Sequence, residues 1–454
     1  MSGMARITDR PFWAWTTVGL AGSLAVALAG PHLAGGPVKW WFDPPLGAAV
    51  FYAGAAALFA AWLGLAPRAP WWVGALWCAP LLLTAPLFSQ DAYSYLAQGT
   101  IVHLGLDPYR DAPAVLAQHG QTRVLDAVSP FWRHTTAPYG PLFLWIVSWF
   151  SGSSLVVGVV LIRALDLIGF VLLAVFVPRL ARALGADPER ARWWVLINPL
   201  VLLELVAAAH NDLLMIGLVV AGVSLAIERR VLLGVALCAL AATIKLPAAA
   251  AIPFMLVAFA DRRTAVRGLL LAAGVVVAIS LVSGLGFGWL STSVFSTPGK
   301  VRLAITPATA VGWTVAQVVP VGAHGLESAL GVVAFVAAAM LSLVLLWRVR
   351  RPTIARYLGI ALLAVAVAGP AAWPWYLGWG LVLLAADPDA QASRVLPVAI
   401  GATALTVKAD GILAFPLHTA PVFVVLFLGV GAAILVSRRH PRVATRRLRP
   451  VAES

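Results

Sequence analysis

The side chains able to do chemistry in this sequence are few and fall into short groups. The first is Phe88-Ser89-Gln90-Asp91-Ala92-Tyr93-Ser94-Tyr95. On a helix Asp91, Tyr95 and Gln98 share one face, at i, i+4 and i+7. A carboxylate placed there can take the proton of an incoming hydroxyl nucleophile, or it can simply cap the helix that follows. Gly105 and Pro108 stop that helix, and Asp107-Pro108 reads either as a plain capped turn or as a place where Asp107 meets sugar hydroxyls. Arg133 and His134 follow Phe131 and Trp132 and have the chemistry to face a phosphate or a sugar ring. The aromatic residues could equally line a membrane interface.

A second group lies deeper. Glu204 falls inside an apolar run that His210-Asn211-Asp212 closes, and Glu204 and Asn211, seven apart, share a helical face. Ionisable residues at membrane depth are costly and functional by default; the alternative is a buried polar network that fixes helix packing. Lys245, in Thr243-Ile244-Lys245-Leu246-Pro247, either counters a lipid phosphate or snorkels to the interface. Arg163 and Asp166, at i and i+3, predict an ion pair inside one span. Lys300 and Arg302 add two further cations. Trp373-Pro374-Trp375-Tyr376-Leu377-Gly378-Trp379 is either an interfacial aromatic belt or a platform for stacking sugars. No P-loop, dinucleotide fingerprint, nucleophile elbow or His-Glu-x-x-His zinc helix is present, so ATP-driven chemistry within the chain is not expected.

The elements that must hold these residues follow from composition. Of 454 residues 61% are apolar and 11% charged, where a soluble domain carries roughly a quarter charged residues. At about 20 apolar residues per crossing the ceiling is roughly 14 spans. A soluble enzyme, a disordered chain and a secreted disulfide scaffold are excluded. The net charge of +14 fits topological Lys and Arg rather than nucleic-acid binding. Cys78 and Cys238 sit in apolar runs, which predicts neither a disulfide nor a Cys metal site. The basic start, Met1–Arg10, has no clear cleavage site after it and reads as the flank of a retained first span.

Candidate spans lie near 12–30, 46–65, 71–88, 155–177, 193–209, 213–227, 231–244, 247–260, 266–284, 328–347, 357–372, 375–388, 394–409 and 419–437. Several are only about 14 residues long and suit half-helices or bent helices. With a cytoplasmic start, 23 Lys and Arg fall inside and 8 outside, which places both termini in the cytoplasm. The expected organisation is a three-span segment 1–88, an extracytoplasmic catalytic loop 89–140, a central bundle 141–285, a second outer segment 286–327, C-terminal membrane helices 328–437 and a basic cytoplasmic tail 438–454. Loops as long as the outer two are usually functional, so chemistry is expected on the outer face.

Taken in order, the motifs resemble a known family. Ser89-Gln90-Asp91-Ala92-Tyr93-Ser94-Tyr95, Gly105-Leu106-Asp107-Pro108-Tyr109 and Ala137-Pro138-Tyr139-Gly140-Pro141-Leu142 are similar to segments of the actinobacterial polyprenyl-phosphomannose-dependent α-1,6-mannosyltransferases. So are Ile197-Asn198-Pro199, Ala209-His210-Asn211-Asp212, Lys245-Leu246-Pro247 and Trp373-Pro374-Trp375-Tyr376. The likeness covers roughly residues 85–380. It implies an all-α polytopic membrane protein of the GT-C type, a bundle of roughly 12–14 helices with short helices in the first large outer loop. It also implies mannose moved from polyprenyl-phosphate-mannose to a phosphatidylinositol mannoside or a growing α-1,6-mannan, in the plasma membrane with the active site outside.

In such enzymes an acidic residue early in the first outer loop is the base, which corresponds to Asp91. Gln90 stands where a second acid is often found, leaving Asp107 and Asp212 as candidates for that role. Lys245, Arg133 and His134 are the candidates for the donor phosphate. Tyr95, Asp107, Tyr109, Tyr139, Glu204, His210, Asn211, Asp212, Trp375 and Tyr376 are the candidates for sugar and acceptor. No cofactor or divalent metal is expected, since cations already face the leaving phosphate. The competing class is a transporter or flippase of a lipid-linked sugar, which short broken helices and Glu204 suit; a purely structural partner explains neither Glu204 nor Asp91.

Overall fold

An apolar chain in lipid must satisfy its backbone internally, and helices do so within one segment. The computed structural model describes residues 10–33, 44–67, 70–291, 306–319, 323–369 and 372–408, with 424 and 428–429 besides. Among them there is no strand element. The helices are α1 (Arg10–Leu33), α2 (Pro44–Gly64), α3 (Trp71–Leu82), α4 (Asp91–His103), α5 (Thr122–Ala127), α6 (Pro141–Ser148), α7 (Leu155–Ala183) and α8 (Pro188–Val195). After a π-helical turn at Leu200–Ala207 come α9 (Asp212–Ile227), α10 (Val231–Ala242), α11 (Ala251–Phe259), α12 (Arg262–Val282) and α13 (Gly288–Ser291). The rest are α14 (Pro307–Ala316), α15 (Ala323–Arg348), α16 (Ile354–Ala368), α17 (Leu377–Leu384), α18 (Pro388–Gln391) and α19 (Val395–Ala402).

The chain is an all-helical polytopic membrane protein, as its composition requires. Among the described residues six helices are long and apolar enough to cross, or seven if the bent pair Leu200–Ala207 and Asp212–Ile227 is one span. This is fewer than the fourteen apolar segments, because several of those are the short pieces the sequence suggested. Trp71–Leu82, Val231–Ala242, Leu246–Phe259, Pro374–Leu384 and Val395–Thr406 are each too short to cross alone. Prolines account for part of this: Pro247 and Pro374 each sit in the first turn after a break. All of the candidate span at 419–437 but residues 424 and 428–429 lies outside the described residues, as do Lys39, Lys300, Arg302 and the basic tail.

α12 and α15 turn much of their length outward, with Leu269, Leu270, Val332, Val333 and Phe335 exposed as a lipid-facing surface. α9 does the opposite and is buried along nearly its whole length, with one face of α7 packed against it. They touch backbone to backbone: a Cβ on Gly169 would lie 2.2 Å from the Leu213 carbonyl oxygen. Small residues permit this approach where dispersion, not hydrophobicity, drives helix association.

Two features differ from the sequence reading. The Arg163–Asp166 ion pair does not form. Arg163 instead donates to the carbonyls of Leu82 (2.8 Å), Thr84 and Ala207 (3.1 Å), tying α7 to the end of α3 and to the π-turn. Chain ends that expose carbonyls inside a bundle need such a donor, and a guanidinium, with five N–H groups spread over a planar fork, serves three at once. Glu204 and Asn211 do not share a face either, because the helix bends by 117° between Ala207 and Asp212.

Gly169→Leu is expected to push α7 off α9 and lower stability by about 1–3 kcal/mol. A falling unfolding temperature in detergent checks this; an unchanged one would contradict the contact.

Candidate active site

The loop after α3 carries its own small core. Ala97, Ile101, Leu116 and Val128 are buried together, with Leu104, Leu106, Val124, Leu125 and Trp132 packed around them. α4 therefore has a fixed seat, and Asp91 is its first residue. Asp91 is not the cap: Gln90 occupies that position, and the Asp91 N–H donates to Ser89 Oγ at 3.1 Å. The carboxylate sits in the first turn, where the helix dipole favours an anion. It is 14% exposed, at the rim of a buried cluster.

Tyr139 donates its phenolic hydrogen to Asp91 Oδ2 at 3.4 Å. Burial, and then the Asp91 charge, push the Tyr139 phenol well above its usual range, so it stays a donor at neutral pH. His210 approaches the same oxygen, with Nε2 at 3.7 Å. Its other nitrogen, Nδ1, meets the Glu204 carbonyl oxygen at 2.5 Å. A carbonyl can only accept, so Nδ1 carries the hydrogen and Nε2 of the neutral ring is an acceptor. The ring is held between these contacts by stacking on Trp375 at 4.1 Å, and Trp375 stacks on Trp373 at 4.8 Å. Ala209, just before it, has φ +57°. A left-handed alanine costs of order 1 kcal/mol and persists only where its surroundings impose it.

Behind this rim lies a second carboxylate in a different state. Asp212, the first residue of α9, is fully buried. Lys245 Nζ donates to Oδ2 at 2.6 Å, and Trp379 Nε1 donates to Oδ1 at 2.6 Å. The ammonium also lies 4.7 Å from the Tyr376 ring centre, 5.7 Å from Trp379 and 5.9 Å from Tyr139. Three aromatic faces around one ammonium are a cation–π cage. Lys245 reaches it because Gly140 lets two backbones meet: its N–H donates to the Ile244 carbonyl at 2.9 Å, and a Cβ there would lie 2.1 Å from the Thr243 oxygen.

The structure thus brings together Asp91, Tyr95, Tyr139, His210, Asn211, Asp212, Lys245, Trp375 and Tyr376. Tyr95 reaches Asn211 Oδ1 at 3.5 Å and packs edge-on against Tyr139. Tyr109 serves from beneath, donating to the Tyr139 carbonyl at 3.1 Å. Glu204 is fully buried with neither carboxyl oxygen hydrogen-bonded.

Three of the sequence candidates stand apart. Arg133 donates to the carbonyls of Val128 (3.0 Å) and Asp126 (3.1 Å) and so closes its own loop. His134 is exposed. Asp107 accepts the Tyr109 N–H at 2.9 Å and pairs with exposed Arg110, which makes it the capped turn. The Trp373–Trp379 segment is not a belt: Trp373, Trp375 and Trp379 are buried against His210 and Asp212. Trp379 is a member of the site that spacing alone did not single out. Its indole is a donor only, and its partner Asp212 is 167 residues away in the chain, so no local pattern pairs them. No group of three or more His, Cys, Asp or Glu arranged to hold a metal occurs among the described residues.

Fold and site together describe a helical membrane protein with a buried cluster of acidic, basic and aromatic side chains. Residues 14–261 match the N-terminal domain of alpha-(1->6)-mannopyranosyltransferase, and residues 305–438 match the MptB C-terminal domain. Alpha-(1->6)-mannopyranosyltransferase A of Mycobacterium tuberculosis is 34% identical over 400 residues, covering 78% of this chain and 74% of that protein. A probable alpha-(1->6)-mannopyranosyltransferase of Mycolicibacterium smegmatis is 34% identical over 373 residues, covering 72% and 66%. Alpha-(1->6)-mannopyranosyltransferase A of Corynebacterium glutamicum is 40% identical over 179 residues, 39% of this chain and 36% of that one. No solved structure matches. The chain belongs to the alpha-(1->6)-mannopyranosyltransferase family, which makes it a glycosyltransferase, and the transporter reading is not favoured.

Lys245→Met should leave Asp212 buried and unpaired, at a cost of about 3–5 kcal/mol. Lys245→Met with Asp212→Leu should cost less than either single change. Unfolding temperatures of the three variants check this, and simple additivity would contradict the pairing.

Proposed function

We propose that the protein transfers mannose from polyprenyl-phosphate-mannose to the 6-hydroxyl of a mannolipid acceptor in one inverting step, with Asp91 as general base. The observation that carries this reading is the unlike state of the two carboxylates. Asp212 is consumed by Lys245 and Trp379, whereas Asp91 stands at the rim with no Lys or Arg paired to it among the described residues. Asp91 Oδ2 and His210 Nε2 are two acceptors 3.7 Å apart. A hydroxyl with a proton to give is the kind of group that docks between them.

In the step, the acceptor O6–H proton passes to Asp91 as O6 bonds to the anomeric carbon. The bond from that carbon to the phosphate oxygen breaks, and its electron pair leaves with the polyprenyl phosphate. Positive charge developing on the sugar is favoured by Asp91 and Asp212. The ammonium of Lys245 has three donors and Asp212 takes one, so it is better placed for the leaving phosphate than Arg133 or His134. Preorganised charge of this kind stabilises a transition state without reorganisation. A phosphatidylinositol mannoside or a growing α-1,6-mannan of the lipomannan pathway is the acceptor. The reaction runs on the outer side of the plasma membrane with both termini cytoplasmic, in keeping with the Lys and Arg distribution.

Asp91→Asn should lower transfer by about 10²–10⁴-fold with donor binding retained, measured with labelled mannosyl polyprenyl phosphate and a short α-mannoside. Transfer that survives the change would move the base elsewhere. No divalent metal is required on this account: chelation with EDTA should leave the rate unchanged, and a strict need for magnesium or manganese would contradict it.

A further inference from the structure

The buried helix α9 joins the site to a second feature that the reaction does not use. Asp212 begins it and Ile227 ends it, so its far end lies about 24 Å from the active cluster, at 1.5 Å per residue. There the chain turns sharply. Arg229 has φ +69°, and the N–H groups of Arg229 and Arg230 close back on the Ala226 and Leu225 carbonyls. The turn forms one wall of a cavity of about 670 Å³, with α10, the start of α12 and Arg351 as the others.

Its lining combines basic and apolar side chains. Arg229, Arg230 and Arg351 line it together with one carboxylate, Asp261. Asp261 is occupied as the cap of α12, accepting the Thr264 N–H at 2.7 Å, and those hydrogen bonds hold its pKa down, so it stays anionic. Glu228, the other acid nearby, is taken by Arg179 at 2.8 and 3.0 Å. Arg351 spends one nitrogen on the Ile227 carbonyl at 2.9 Å. The guanidinium groups of Arg229 and Arg230 have no protein partner among the described residues. Leu232, Leu233 and Phe259 belong to its apolar lining. Leu232 and Leu233 are themselves exposed on the outward side of α10.

We propose that this pocket binds the phosphate headgroup of an anionic phospholipid. Guanidinium groups match phosphate oxygens with paired donors, and basic pockets between membrane helices take such headgroups. The adjoining leucines and phenylalanine offer acyl chains an apolar surface that a free anion would not need. Three guanidinium groups against one carboxylate leave an excess of positive charge for a phosphodiester to neutralise. The pocket sits at the opposite end of α9 from the lipid-linked substrate, so the lipid is not the donor or the acceptor.

The test is native mass spectrometry of the purified full chain, with phosphatidylglycerol, phosphatidylcholine and inorganic phosphate as probes. Phosphatidylglycerol should be retained by the wild type, and retention should fall about tenfold or more in Arg229→Gln/Arg230→Gln, which leaves the Arg351 bond intact. The control Arg262→Gln/Arg263→Gln removes the same charge from the same end but outside the pocket, and should retain the lipid. Equal retention of phosphatidylcholine, equal binding of inorganic phosphate, or equal loss in the control would overturn the proposal. The unfolding temperature of each variant, measured without added lipid, separates loss of the site from loss of the fold.

Discussion

Asp212 is fully buried at the start of a helix, and an isolated carboxylate there would cost several kcal/mol. The 2.6 Å bonds from Lys245 and Trp379 remove that cost, and in doing so they draw together three parts of the chain far apart in sequence. Asp212 belongs to α9, Lys245 to the break after α10, and Trp379 to α17. Tyr376 and Tyr139 face the same ammonium. This bond ties the rings that line the site to the start of α9, next to the break that presents His210.

The break itself explains why charge can be stationed at this depth. A continuous helix would point its residues sideways into neighbours. The 117° bend instead aims the start of α9 and the His210-Asn211-Asp212 segment at one place. Non-helical backbone is tolerated there because it is buried in protein. Asp91, at the start of α4, meets it from the segment after α3. Two helix starts therefore face one cluster, each with an aspartate in its first turn, and their surroundings divide the roles. Asp212 is held by donors on both oxygens, while Asp91 is left at the rim.

Much of this could be read from the residues before any coordinates. Composition required a polytopic helical protein, the short apolar segments implied broken helices, and the ordered motifs from Asp91 to Tyr376 gathered nearly all of the cluster. What could not be read was pairing. Spacing placed Arg163 and Asp166 on one face, yet a guanidinium with open carbonyls within reach serves three of them instead. Periodicity likewise put Glu204 and Asn211 on one side, because a π-turn followed by a break has no signature in a 3.6-residue pattern. Arg133 looked like a phosphate ligand by residue type, but the loop that carries it needed a donor for its own carbonyls. Side-chain type states what a residue can do; which partner claims it is settled by distant segments.

The central claim is that Asp91 takes a proton rather than attacking the sugar. The most direct test is the anomeric configuration of the product made from a β-linked mannosyl donor, read by NMR, with the intact mass of the enzyme followed during turnover. The account predicts an α linkage and an unmodified chain throughout. A β-linked product, or a mannosyl adduct trapped on Asp91, would contradict it.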